Sequence, residues 1–107
     1  MQLGIHAMAW TSHWSNDSLP LIDRVAALGL DFIEIPLMGI DDVDPRAIRS
    51  RLADAGIGAV TSTVLNDSTD ITAPDPEVQQ AGVEYLRRCV DVTTEMGAPQ
   101  FLSLIHI

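Results

Sequence analysis

Six residues of this chain have the types and placement to do chemistry: His6, Trp10, His13, Trp14, Glu34 and Ser62. A carboxylate or an imidazole can hold or move a proton. An indole can wall a pocket against the flat, partly apolar face of a sugar. Glu34 is the most informative. Its neighbours Ile33 and Ile35 alternate to the opposite face of an extended segment, so Phe32 and Glu34 share the other. A lone carboxylate on a buried strand face is costly. Glu34 therefore either pairs with an Arg or a backbone N–H to orient loops, or meets a substrate directly or through another residue.

His6 shares a strand face with Gly4, which leaves room there. It is either a satisfied core histidine or a group projecting toward a ligand. Trp14 either packs a local lid onto the domain or offers an apolar wall to a sugar. His13 reads as a loop residue. Ser62 lacks the surrounding Gly-x-Ser-x-Gly of a nucleophile elbow, so it reads as a hydrogen-bonding or small pocket residue. Cys89 falls on the apolar stripe of a helix and reads as inert core. The run Asp41-Asp42-Val43-Asp44 reads as a solvated helix entry. There is no Gly-rich phosphate or dinucleotide loop and no paired cysteine, and the histidines and carboxylates form no recognisable metal set.

Three helices must position these residues, and all use similar punctuation. The first follows the capping oxygens of Asn16-Asp17-Ser18, with Pro20 early, Leu21, Val25 and Leu28 at helical spacing, and Gly29 as the stop. The second opens on Asp44-Pro45, buries Ile48, Leu52 and Ala55, and stops at Gly56. The third opens on Asp75-Pro76-Glu77, carries Val78, Ala81, Tyr85, Leu86, Cys89, Val92 and Met96, and stops at Gly97. Short apolar runs lie before the first helix and after each stop, at 2–9, 30–37, 57–65 and 99–107. Their Ile and Val content suits buried parallel strands. The order is βαβαβαβ, an α/β chain with a parallel sheet. Ligands meet such sheets at the carboxyl ends of the strands. His6, Glu34 and Ser62 fall at those ends, with Trp10, His13 and Trp14 just beyond the first.

Composition narrows the partners. The chain has 107 residues, 47% hydrophobic and 20% charged, which fits one globular domain. Its 6 basic residues, all Arg, against 15 acidic give a net charge of −9. Nucleic acid and anionic membranes are therefore disfavoured. No run is long and apolar enough to span a bilayer, no signal peptide is evident, and a single cysteine agrees with a reducing cytoplasm.

Taken in order, several segments resemble the ketose 3-epimerases, the tagatose and allulose (psicose) 3-epimerases of the xylose-isomerase-like superfamily. They are Gly4-Ile5-His6 with Trp10 and Trp14, the run 28–35 around Glu34, Ser62, Ala73-Pro74-Asp75, the run 81–91, and Gly97-Ala98-Pro99 leading to Leu102. The resemblance covers residues 1–102 and implies a TIM barrel. It also implies a divalent metal, usually manganese, with magnesium or cobalt as alternatives. Two glutamates on later strands would exchange the proton at carbon 3 of a ketose through a metal-stabilised ene-diolate. By position, His6, Trp14 and Ser62 match residues that line the substrate pocket, and Glu34 matches a glutamate that stands behind them. The family often has an aromatic at His6, so His6 is a departure.

A whole barrel takes about 250 residues. The expectation is one partial domain over 1–107, about half a barrel, with 1–102 family-like and 103–107 an aberrant tail. Leu102–Ile107 reads like translated adapter sequence and points to an artificially shortened frame. No catalytic residue or metal ligand of the family maps onto this chain, so the fragment is expected to be inactive. The full-length protein is expected to be a cytoplasmic homo-oligomer acting on a small ketose. The alternatives are another sugar isomerase, such as a hydroxypyruvate isomerase, an inosose dehydratase, or a non-catalytic half-barrel.

Overall fold

A computed structural model of the chain describes residues 1–104. Four parallel strands, β1 (Gly4–His6), β2 (Phe32–Pro36), β3 (Gly58–Val64) and β4 (Phe101–Leu104), alternate with helices α1 (Pro20–Ala27), α2 (Pro45–Ala55) and α3 (Pro76–Met96). The strands lie in the order β1-β2-β3-β4. Each new strand thus adds to the same edge, which is how a barrel is wound; a doubly wound sheet reverses direction. The described residues form half of an eight-stranded barrel.

The caps explain where the helices start and stop. Asp44 accepts from the Ala47 N–H at 3.1 Å and Asp75 from the Glu77 N–H at 2.9 Å, each followed by a proline at the first helical position. Gly29, Gly56 and Gly97 take φ of 78°, 72° and 82°, the left-handed conformation that glycine adopts without a Cβ clash. The start of α1 differs from the sequence reading. Asn16–Ser18 form a 3₁₀ turn of their own, capped by Ser15, and α1 begins at Pro20 without a side-chain cap. Ser15 can accept from Asp17 because its backbone is extended, and the three residues after it take the turn.

The core lies between the sheet and the helices. Ile33 and Ile35 of β2 are fully buried against Ile22, Val25, Ile48, Cys89 and Met96 from the helix layer. On α1 the buried residues are Ile22 and Val25, while Leu28 is 58% exposed, because the chain leaves the helix there to enter β2. On α3, Gly82 is buried and Ala81 is exposed. The α3 backbone at Gly82 lies directly against the Thr69 carbonyl and Ile71, where no Cβ would fit. At Gly4 the space inside the sheet is filled by the Phe32 ring.

The tail expected to be aberrant begins inside β4, where Ser103 pairs with Thr63 and Leu104 with Val64. Its remainder, 105–107, lies outside the described residues. No helix among the described residues is long and apolar enough to cross a membrane.

Candidate functional site

Strand register brings the sequence candidates together. His6 pairs with Glu34 across β1 and β2, and Pro36 pairs with Ser62 across β2 and β3. Their side chains converge at the carboxyl ends of three strands, on the face away from the helices. His6 Nε2 lies 2.8 Å from Glu34 Oε2 and 3.1 Å from Ser62 Oγ, and Ser62 Oγ donates to the same Glu34 oxygen at 3.2 Å. His6 and Glu34 retain 32% and 28% of their side-chain exposure, so the cluster is shielded yet reachable.

The first residues after β1 fix the imidazole. Ala7–Ala9 form a 3₁₀ turn with His6 as its N-cap, and His6 Nδ1 accepts from the Met8 N–H at 3.0 Å. With Nδ1 occupied as an acceptor, the single proton of the neutral ring sits on Nε2 and points at Glu34. The cluster is therefore not a serine nucleophile triad. In that arrangement the carboxylate and the serine hold opposite ring nitrogens. Here both crowd Nε2, and no lone pair there is free to take the serine proton.

A cavity of about 220 Å³ opens above the cluster, lined by His6, Glu34 and Ser62 with Met8, Met38 and Leu102 among the apolar walls. Its rim is pinned by backbone. The Leu37 N–H donates to the Ser62 carbonyl at 2.7 Å, and Tyr85 of α3 donates its hydroxyl to the Leu37 carbonyl. Burial pushes the Tyr85 phenol above its ordinary range. The methionines were not singled out from the sequence. Met8 follows His6 by two residues, the spacing of a side-chain cap on a following turn, and that was the available signal.

The structure does not bring Trp14 to this cavity. Trp14 is 2% exposed and belongs to the core cluster with Ile22, Val25 and Ile33, and its indole Nε1 has no hydrogen-bond partner among the described residues. The large apolar indole is removed from water by packing behind the β1 loop. Trp10 lies under Arg24, whose guanidinium carbon is 5.0 Å from the ring centroid.

His13 and the acidic run are more engaged than the sequence indicated. His13 Nε2 is 2.7 Å from Asp42 Oδ2, Asp41 pairs with Arg88, and Asp44 caps α2. Together they tie the loop after β2 to the loop after β1 and to α3. Cys89 is fully buried, and desolvation pushes its thiol up to about 11, which leaves it unreactive at neutral pH.

The donor set does not fit the divalent metal that the resemblance implies. Among the described residues no three His, Cys, Asp or Glu side chains converge, and His6 and Glu34 are engaged with each other. A catalytic metal usually draws on three protein ligands.

The family described as the xylose isomerase-like TIM barrel matches residues 22–106. A ketose 3-epimerase of Arthrobacter globiformis is 36% identical over 99% of this chain. An L-ribulose 3-epimerase of a Methylomonas species is 30% identical over 99% of it. The chain spans 37% of the length of each of these relatives. The crystal structure of a D-allulose 3-epimerase from a Methylomonas species, solved in complex with D-allulose, superposes with a TM-score of 0.91 at 30% identity. It covers 97% of this chain and 36% of that one. The chain belongs to the xylose isomerase-like TIM barrel family.

Proposed function

We propose that this chain forms the part of a ketose 3-epimerase that holds one end of the sugar. The observation that carries this reading is the convergence of His6, Glu34 and Ser62 at the carboxyl ends of β1 to β3, in a chain whose named relatives are 3-epimerases. Ser62 and the face of His6 meet the sugar. Glu34 stands behind them, one oxygen accepting from both. A polyhydroxylated ligand suits this cavity, since a serine hydroxyl and a carboxylate that accepts stand among apolar walls.

Proton exchange at carbon 3 needs a base on one face of the carbon and an acid on the other. The cluster offers one carboxylate, and its Oε2 is already bound twice. Its role is therefore binding and orientation. The proton-transferring pair and the metal belong, by the resemblance, to later strands of the complete barrel. Trp14 shapes the β1 loop from behind.

The test is a graft in which residues 1–102 replace the corresponding segment of the Arthrobacter globiformis ketose 3-epimerase. Epimerisation of D-fructose or D-tagatose at carbon 3 is expected from the graft. The 107-residue chain alone, incubated with the same sugars and manganese in deuterated solvent, is expected to give no exchange at carbon 3 above the metal-only control. A folded graft without turnover contradicts the reading.

A further inference from the structure

The long helix α3 is fastened on two sides and bare on a third. Toward α2 and the loop before it, Tyr85 donates to the Leu37 carbonyl, Arg88 pairs with Asp41, and Glu95 accepts from Arg46 at 3.0 Å. Toward the sheet, Gly82, Cys89, Thr93 and Met96 are buried. The flank away from α2 carries Val83, Leu86 and Val90 at i, i+3 and i+7, the spacing of one helix face. With Ile71 from the preceding loop they line an apolar groove of about 320 Å³. Val90 is 49% exposed and Ile71 36%. Arg87 and Asp91, one turn apart, complete the lining, and neither forms an ion pair among the described residues.

We propose that this flank docks on the same flank of a second copy, the two α3 helices running antiparallel about a two-fold axis. Such a contact is self-complementary. Arg87 of one copy meets Asp91 of the other, and Asp91 meets Arg87, so one geometry makes two ion pairs. Turned parallel, Arg87 would face Arg87 and Asp91 would face Asp91, which repel. In the antiparallel pair Leu86 and Val90 close on their own copies near the axis, and their apolar surface leaves water. The chain as a whole carries a net charge of −9, so most of its surface repels another copy. The groove, with one charge of each sign, does not. A single pair of helices buries less than the roughly 1,600 Å² of a standard interface, so the dimer is weak and forms with rising concentration. The inference is independent of the sugar-binding reading.

The experiment is a charge swap read by sedimentation equilibrium on the whole chain. Leu102→Lys and Leu104→Lys are carried throughout, so that the inner face of the sheet does not contribute. A monomer–dimer equilibrium is expected. Arg87→Asp alone, or Asp91→Arg alone, sets like charges against each other at both contacts and should weaken association by at least about tenfold. An equimolar mixture of the two variants should regain dimers, because the acidic flank of one meets the basic flank of the other. Arg87→Asp with Asp91→Arg in one chain should regain them too. Both positions are exposed, and circular dichroism melts should show each variant folded. Restoration by mixing is a result that damage to one chain cannot produce. A chain that stays monomeric at every concentration overturns the proposal, as does a dimer indifferent to either reversal or a mixture that stays monomeric. If the chain is monomeric and Val90→Lys lowers the melting temperature of the graft, a later helix of the barrel covers the groove instead, and the proposal is again overturned.

Discussion

The two faces of the sheet follow different rules. Toward the helices, Ile33 and Ile35 are 0% exposed and Ala59, Thr61 and Thr63 no more than 4%. Away from them, Glu34 and Ser62 are half-buried, and Leu102 and Leu104 are 56% and 49% exposed. On the helix-facing side, three amphipathic helices cover the strands. The inner side mixes a polar cluster with bare leucines, which a closed barrel would enclose. Burial is deepest on the first face, and the cluster proposed to meet a ligand lies on the second.

The sharpest way to break this comparison is to truncate one large side chain on each face. Trp14→Ala should cost about 3–5 kcal/mol, as for a buried Trp, and lower the urea midpoint accordingly. Leu102→Ala should change the stability by no more than about 0.5 kcal/mol, as at an exposed position, and leave the urea midpoint nearly unmoved. Equal losses at the two sites would erase the distinction.

Those cap signals that were legible in the sequence explain why the helix-facing side could be read ahead of the structure. Asp44-Pro45 with Gly56, and Asp75-Pro76 with Gly97, combine cap, proline and stop within the spacing that helix geometry demands. Strand parity likewise separated Ile33 and Ile35 from Glu34. The same parity, with the rule for parallel sheets, picked out His6, Glu34 and Ser62. The remainder of the site was hidden for physical reasons. Met8 enters from a three-residue turn, which has no hydrophobic period. Met38 and Leu102 meet the cavity through strand curvature and register, which a one-dimensional pattern does not carry. Trp14 has both a pocket-like position and a core-sized side chain, and its indole is buried among the described residues.

A smaller effect concerns association. Among the described residues the outer edges of β1 and β4 pair with no strand, and Leu102 and Leu104 are exposed on the inner side, so these edges and that face favour association. Light scattering should show the chain as a self-associating species, shifted toward monomer by Leu102→Lys with Leu104→Lys. A sharply melting monomer in the unaltered chain would count against an open inner face.

The smallest effect tests the helix-facing side through Cys89. Its folded-state value of about 11 lies above the ordinary 9.0. The unfolded thiol therefore ionises first, and the folded state binds more protons between those values. Stability should be unaffected by this group at neutral pH and fall as pH rises from about 9 to about 11. Cys89→Ala should flatten that decline. Rapid alkylation of the native thiol at pH 7 would show that the helix-facing side is not closed.

The most direct test of the inner side as a sugar-holding surface is the Michaelis constant of the graft with Ser62→Ala. Ser62 is proposed to touch the bound sugar in both ground and transition states, so its loss should raise KM and leave kcat nearly unchanged. One hydrogen bond is worth about 0.5–1.5 kcal/mol, which corresponds to a rise of roughly two- to tenfold. A KM equal to that of the unaltered graft would contradict the account.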